Sequence, residues 1–337
     1  MAGPSRDQFA GSLIGQCLGD ALGFVVEGQG PEACRAYVEE VLKSGRAGNA
    51  QRTPFPVGQY TDDSQLAREL IESYVACSGF DPADYARRIA DIFAEGRIVG
   101  RGRATAAAAY RLARGVAWDR AATPAPNAGN GSAMRAGPVG CMFWNDPEAL
   151  IETAHDQGRI THADPRCAAG AIAVAGAVAL ALAGAGNGSL NASRFIRRLA
   201  DWSQTADASF ADELIKLESW LELAPAEAGP VIAKVGLQPG FSDRWDGISP
   251  FVTSSVLWSL YSFLRSPDDY WQTVCTAIAV GGDVDTTAAM AGAISGAYLG
   301  LEALPRDLAR NVNDQDRWGY DELVGLTHRM FEVQGGP

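Results

Sequence analysis

The sequence predicts an all-α fold, a single helical domain over residues 1–337 with a dozen or more helices. Three observations predict it. Apolar residues recur with helical periodicity along most of the chain, and strand-like alternation is hard to find. Pro follows Asp or Gly at the head of one helical stretch after another, the position where its missing N–H costs nothing. The composition, 47% hydrophobic with 38 glycines, supports a large core in which helices approach closely.

The elements follow in order. Phe9 to Val26 reads as a helix buried on most sides, and Pro31 to Lys43 as a second. The Gly- and Pro-rich stretch "SGRAGNAQRTPFPVGQY" is a loop. Ser64 to Cys77 carries Leu66, Leu70, Ile71 and Tyr74 on one stripe. Asp81-Pro82 opens a helix through Ala94, and Ala104 to Ala113 and Gly131 to Phe143 read as two more. Asp146-Pro147 opens one through His155. Asp164-Pro165 opens the Ala-rich run, with "AAGAIAVAGAVALALAGAG" long enough to approach a membrane span. Few of its residues are large, so it is expected to be a buried central helix with no membrane contact. Asn191 to Ala206, Asp212 to Leu223, Val252 to Arg265, Pro267 to Val280, Thr286 to Leu301 and Asp321 to Glu332 complete the set. No repeat or flexible linker divides them.

The bulk numbers exclude some functions. A net charge of −12 and a pI near 4.8 argue against non-specific nucleic-acid binding, which needs a basic surface. A phosphate-bearing small ligand needs only a local patch. The six cysteines are scattered without a CxxC, so buried free thiols are expected rather than disulfides or zinc. The N-terminus lacks the pattern of a signal peptide, which makes the cytoplasm the expected compartment. A monomer is expected.

Two clusters of oxygen ligands stand out. "GQYTDDSQLAREL" places Thr61, Asp62 and Asp63 in a row before a helix. "GGDVDTTAAMAGAISGAYLG" places Asp283, Asp285 and Thr286 after a glycine pair, also before a helix. Such residues serve as helix caps, and their charge suits the helix dipole. One per helix start would suffice, and adjacent buried carboxylates repel. Hard cations such as Mg²⁺ or Mn²⁺ take these oxygens, and no His or Cys is present to favour zinc. Both readings stand at this level; spacing alone does not bring the clusters together.

Taken with three further segments, the chain resembles the ADP-ribosylglycohydrolases, a family that includes the dinitrogenase reductase-activating glycohydrolase. "GSLIGQCLGDALGFVVEG", "YTDDSQLA", "GNGSAMRAGPVG", "GRITHADP" and "GGDVDTTAAMAGAISGAYLG" match its motifs in order over most of the chain. The resemblance implies an orthogonal helix bundle with two Mg²⁺ or Mn²⁺ ions. Thr61, Asp62, Asp63, Asp283, Asp285 and Thr286 would be their ligands. It implies hydrolysis of the bond between ADP-ribose and an acceptor, with arginine on a protein as the leading acceptor. Serine, an ester, a free metabolite, or a catalytically inactive ADP-ribose-binding homologue are the alternatives. Clustered negative charge suits an oxocarbenium-like transition state, and a metal lowers the pKa of its water. Asp62 and Asp63 are the candidate catalytic carboxylates, and Glu27, which ends the first motif, is a candidate acid/base or gate.

Substrate contacts are expected from Asn130, Gly131, Ser132, Met134 and His162 by the resemblance. Gly100 and Gly102 are added because glycines before a helix can cradle a diphosphate, although an ordinary loop-to-helix junction reads the same way. Phe143, Trp144 and Trp245 could stack on adenine or serve as core. One departure is visible: members of the nitrogenase type carry an Asp near a D-V-G-G, where "RIVGRG" places Ile98. "GRITH" resembles vertebrate ADP-ribosylarginine hydrolases instead.

Overall fold

The computed structural model describes residues 3–185, 190–237 and 244–335. Among these residues the chain forms 16 α-helices and no strands, with four isolated β-bridges between loops. In chain order they are α1 (Arg6–Phe24), α2 (Pro31–Tyr37), α3 (Asp62–Cys77), α4 (Pro82–Ala94), α5 (Arg103–Ala113), α6 (Gly137–Met142), α7 (Pro147–Arg159) and α8 (Pro165–Gly184). There follow α9 (Ala192–Ser203), α10 (Ala208–Trp220), α11 (Pro225–Ile232), α12 (Val252–Arg265), α13 (Tyr270–Ala279), α14 (Val284–Leu299), α15 (Arg306–Ala309) and α16 (Tyr320–Gln334). The all-α expectation is met.

Local chemistry explains many of the helix starts. Asp81, Asp146, Asp164, Asn191, Asp207 and Asp269 each accept a backbone N–H of the turn they precede. Pro occupies the first turn of α4, α7 and α8. Ser5 and Gln8 close a capping box on α1.

Several expected boundaries shift. Gly131 to Phe143 is not one helix: a 3₁₀ turn at Asn130–Ser132 is followed by turn residues, and α6 begins only at Gly137. Pro138 restricts the residue before it and supplies no N–H, so the helix restarts there. α2 relaxes into a π-helical turn at Val38–Leu42. α10 starts at Ala208 because Asp207, not Asp212, is its cap. α11 and α15, eight and four residues long, had no periodic signal to expose them. α3 and α14 both begin two residues earlier than expected, at Asp62 and Val284. That shift draws Asp63 and Asp285 into first turns.

α1 lies along α14 in a seam with almost no side chains. Gly11, Gly15, Gly19 and Gly23, four residues apart, face Gly296, Gly292, Ala288 and Asp285. A Cβ on Gly15 would sit 2.5 Å from Gly292 O, and one on Gly23 would sit 2.5 Å from the Asp285 Cα. Ordinary carbon contacts need about 3.5–4.0 Å, so only glycine permits this approach. The seam fixes the start of α14 against the end of α1. α8, long and apolar enough by composition to cross a membrane, has 83% of its apolar window buried within the fold. Five of the six cysteines are buried free thiols, and Cys77 is exposed.

Candidate metal centre

The two clusters that sequence spacing could not connect meet at the α1–α14 seam. Oxygen atoms of Asp20, Asp63 and Asp285 all lie within 4.8 Å of one another, as do oxygens of Glu27, Asp283 and Asp285. Asp62 belongs to the same charge cluster, facing Glu27 and Asp283. Asp62, Asp63, Asp283 and Asp285 are buried, as are Thr61 and Thr286.

Capping does not account for them. Thr61 is the N-cap of α3 and Asp283 the N-cap of α14, yet neither side chain caps its own helix. The loops that present them are held by backbone. Asp62 N donates to Val99 O at 2.7 Å. Gly28 N donates to Gly282 O, Gly282 N to Gln29 O and Asp283 N to Ile248 O. Gly281 and Gly282 have φ of +80° and +91°, and a Cβ on Gly281 would strike Pro31 N at 2.6 Å. A glycine pair is therefore required where three loops meet backbone to backbone.

Burial dominates the electrostatics. It pushes the carboxyl groups of Asp62 and Asp283 up to about 7, and each is raised further by neighbouring acids. Asp63 and Asp285 are raised well above the ordinary carboxylate range by burial and then by the other acids of the cluster. Opposing this, Asn130 Nδ2 donates to Asp283 Oδ2 at 2.6 Å, and Thr286 N donates to Asp285 Oδ1 at 2.9 Å. Asp63 Oδ1 is buried with no hydrogen-bond partner. An orphaned carboxylate oxygen among raised neighbours, with only hard oxygen donors around it, fits a divalent cation.

Glu27 stands at the edge, half-buried just past α1, and its Oε2 takes Arg52 Nη1 at 2.6 Å. Arg52 also donates to Phe24 O and lies 4.7 Å from the Phe24 ring.

The substrate candidates split. Asn130 and His162 reach the centre's surroundings through side chains. Gly131 packs on the His162 ring, where a Cβ would meet Cε1 at 2.8 Å. The Ser132 hydroxyl is committed to Cys167 O at 2.9 Å, and Met134 is core, its carbonyl accepting Gln16 Nε2. Gly102 N–H points to the Asp62 carboxylate, and Gly100, at φ +73°, packs against the same group. This loop therefore seats a carboxylate. Ile98 is buried beside Val99, which receives Asp62 N. Phe143 and Trp144 pack against the hydrophobic core, and Trp245 is half-buried.

His162 is neutral. Burial and the nearby Arg135 push its pKa down to about 3. Arg135 Nη2 donates to Thr161 Oγ1 at 2.9 Å, and the Thr161 hydroxyl shares a hydrogen bond of 2.8 Å with His162 Nδ1. Nδ1 is thereby tied to Thr161, and Nε2 is the ring nitrogen beside Gly129 and Gly131.

Two features of the site went unread in the sequence. Asp20 is the only charged residue between Phe9 and Val26, a buried run in which a lone carboxylate needs partners. That was a usable signal. Arg52 lies in a loop with no pattern pointing to Glu27.

Comparison with known proteins completes the description. A family model described as ADP-ribosylglycohydrolase matches residues 1–337. Among curated relatives, ADP-ribosylhydrolase ARH3 of Gallus gallus is 30% identical over 342 residues, covering 90% of this chain and 88% of its own. The ARH3 protein of Homo sapiens is 27% identical over 360 residues, covering 98% and 95%. ADP-ribosylarginine hydrolase Tri1 of Pseudomonas putida (strain GB-1) is 25% identical over 319 residues, covering 91% and 74%. A solved structure described as an ADP-ribosylglycohydrolase-related protein complex matches with a TM-score of 0.67 at 24% identity, covering 98% of both chains, which speaks for the fold.

Proposed function

The chain belongs to the ADP-ribosylglycohydrolase family, a family of hydrolases acting on ADP-ribose linkages, and from that premise we propose a cation-dependent hydrolase that removes ADP-ribose from an acceptor. The acceptor proposed first is an arginine side chain of a protein. The observation that carries the reading is the buried, unpartnered Asp63 Oδ1 within a ring of raised carboxylates.

Thr61, Asp62, Asp63, Asp283, Asp285 and Thr286 would hold two Mg²⁺ or Mn²⁺ ions, with Glu27 within reach of Asp283 and Asp285. When bound, such ions supply Lewis acidity that lowers the pKa of a water and holds ribose hydroxyl oxygens. The chain does the rest. Asn130 and the Thr286 N–H fix the orientations of Asp283 and Asp285. The neutral His162 presents its Nε2 edge beside the "GNG" backbone without adding positive charge. Glu27, held by Arg52 and partly open to solvent, is placed to take a proton from the attacking water or to give one to the leaving group. Clustered acids complement the positive charge that builds on the ribose ring as the glycosidic bond breaks.

A second reading, cleavage of another ADP-ribosyl linkage, is favoured by one observation. Two ARH3 relatives, whose name carries no acceptor, are 30% and 27% identical to this chain, against 25% for the arginine-named Tri1. One experiment separates the two: hydrolysis of arginine-, serine- and ester-linked ADP-ribosyl peptides with Mg²⁺, with Mn²⁺ and with chelator. Cation-dependent release of ADP-ribose from the arginine peptide is expected. Release from the serine or ester peptide alone selects the second reading, and release from none refutes both.

A further inference from the structure

We infer that Asp20 is a positioning residue for the cation site, one that aims the Thr61 hydroxyl rather than binding the cation itself. The inference rests on the proposal that Thr61 and Asp63 are ligands.

Asp20 projects from α1 and is fully buried. Its carboxylate accepts Thr61 N at 3.0 and 3.1 Å, Thr61 Oγ1 at 2.9 Å, Ser64 N at 3.1 Å and Ser64 Oγ at 2.7 Å. Thr61 N–H precedes α3 and Ser64 N–H is the third of its helical donors, the one an N-cap side chain ordinarily takes. Asp20 thus caps α3 from another helix, and the residues at the head of α3 are released from that work. This explains why Thr61 sits at an N-cap position without capping.

Asp20 oxygens lie within 4.8 Å of those of Asp63 and Asp285, which on distance alone makes Asp20 look like a ligand. Its hydrogen bonds argue otherwise. An ionised carboxylate has about four lone-pair sites, and four donor groups already occupy them. Asp63 presents the opposite case, with Oδ1 bare.

The Thr61 hydroxyl has one proton and two acceptors in range, Asp20 Oδ1 at 2.9 Å and Asp63 Oδ2 at 3.1 Å. With the proton on the Asp20 side, the hydroxyl lone pairs are left for a cation and Asp63 Oδ2 stays free to bind one. With the proton on the Asp63 side, a lone pair of Asp63 Oδ2 is taken and a hydroxyl lone pair is turned against the Asp20 carboxylate. Asp20 also holds Thr61 N, so the residue cannot rotate away. Outer partners of this kind typically change metal affinity 10–100-fold.

The test is Mn²⁺ titration by calorimetry, with thermal unfolding of each cation-free protein alongside. Asp20→Asn keeps the volume but replaces one acceptor oxygen with a donor amide, and a loss of Mn²⁺ affinity of about 10–100-fold is expected. Ser64→Ala removes the Oγ donor on the far side of the carboxylate and leaves the bonds to Thr61. Its Mn²⁺ affinity should stay within about threefold of the parent even where its unfolding temperature falls. If Asp20→Asn binds as tightly as the parent, or if Ser64→Ala loses tenfold, Asp20 is only a structural cap and the inference is overturned. The Ser64→Ala result holds whether or not Asp20→Asn folds. A parent protein that binds no Mn²⁺ overturns the cation reading, and this inference with it.

Discussion

Gly23→Ala should harm the site far more than the fold. The new Cβ would lie 2.5 Å from both the Asp285 Cα and Val284 O, and 2.7 Å from Asp285 N. All three are backbone atoms at the start of α14, so no side chain can swing aside. Reaching ordinary contact distance requires α1 and α14 to part locally by about 1 Å. Overpacking of this kind costs about 1–3 kcal/mol, and the better helix propensity of Ala returns up to about 1 kcal/mol. The net loss is then about 1–2 kcal/mol. At an unfolding entropy of about 2.1 cal/mol/K per residue, a chain of this length should lose only about 1–3 °C in Tm. The displaced atoms, however, carry Asp285, which shares its oxygens' neighbourhood with both Asp63 and Asp283. A misplacement of about 1 Å at a reacting centre can cost about 100-fold in rate. The assay is thermal unfolding without cation, Mn²⁺ titration, and turnover of the ADP-ribosyl peptide. Gly48→Ala is the control, since its Cβ would meet only Leu308 Cδ2 at 3.8 Å and φ there is not positive. A Gly23→Ala protein with parental Mn²⁺ affinity and turnover would refute the argument that the seam places Asp285.

Three further outcomes follow from the same geometry. Cation-free protein should lose stability as pH rises from 6.5 to 8: Asp62 and Asp283 have folded pKa values of about 7, above their unfolded values, so the native state holds extra protons that are lost through this window. His162, with a folded pKa of about 3, acts in the opposite sense but only below about 6.5, and a Tm that climbs between pH 6.5 and 8 would contradict the charge assignments. Asp314→Ala should destabilise by about 3–5 kcal/mol in denaturant titration, because it strips a carboxylate 2.5 Å from the fully buried Arg68 and leaves Glu69, at 2.9 Å, as its remaining ion-pair partner. Arg52→Ala should move stability by less than about 1 kcal/mol, since the pair with Glu27 is partly exposed, while tightening Mn²⁺ binding a few-fold by releasing Glu27 toward Asp283 and Asp285; weaker binding would show that Arg52 holds Glu27 in a binding pose instead.

Helix starts marked by Asp-Pro, Ser or Asn were legible in the sequence because their chemistry is local. α4 and α12 occupy the expected residues from end to end. The boundaries of α3 and α14 were misplaced for a physical reason. Their first turns are held from outside, α3 by the Asp20 carboxylate and the Val99 carbonyl, and α14 by the Ile248 carbonyl. No local residue reports such partners. The Thr and Asp residues proposed as ligands were legible as types, since two oxygen-rich helix starts exceed what capping needs. Their meeting was not, because it depends on glycine spacing in two helices more than two hundred residues apart. The four-residue repeat of Gly11, Gly15, Gly19 and Gly23 was written in the chain, and it marks a helix face built for backbone contact.

That seam also explains how the protein tolerates its own site. Raised carboxylates at the junction of α1, α3 and α14 oppose folding when no cation is present, since burial and mutual repulsion both act against their charge. The site cannot recruit stability from its own residues without consuming the oxygens it must keep free. Stability comes instead from neighbours that never touch the open face: backbone packing along the seam, Asp20 holding the start of α3, and the buried Arg68–Asp314–Gln65 network tying α3 to the loop before α16. The division of labour is visible in the atoms. Asp20 has every lone pair filled, and Asp63 Oδ1 has none filled. Two aspartates of similar burial and only a few ångströms apart are thus assigned different tasks by their hydrogen bonds, one to hold the scaffold and one to stay available for a ligand.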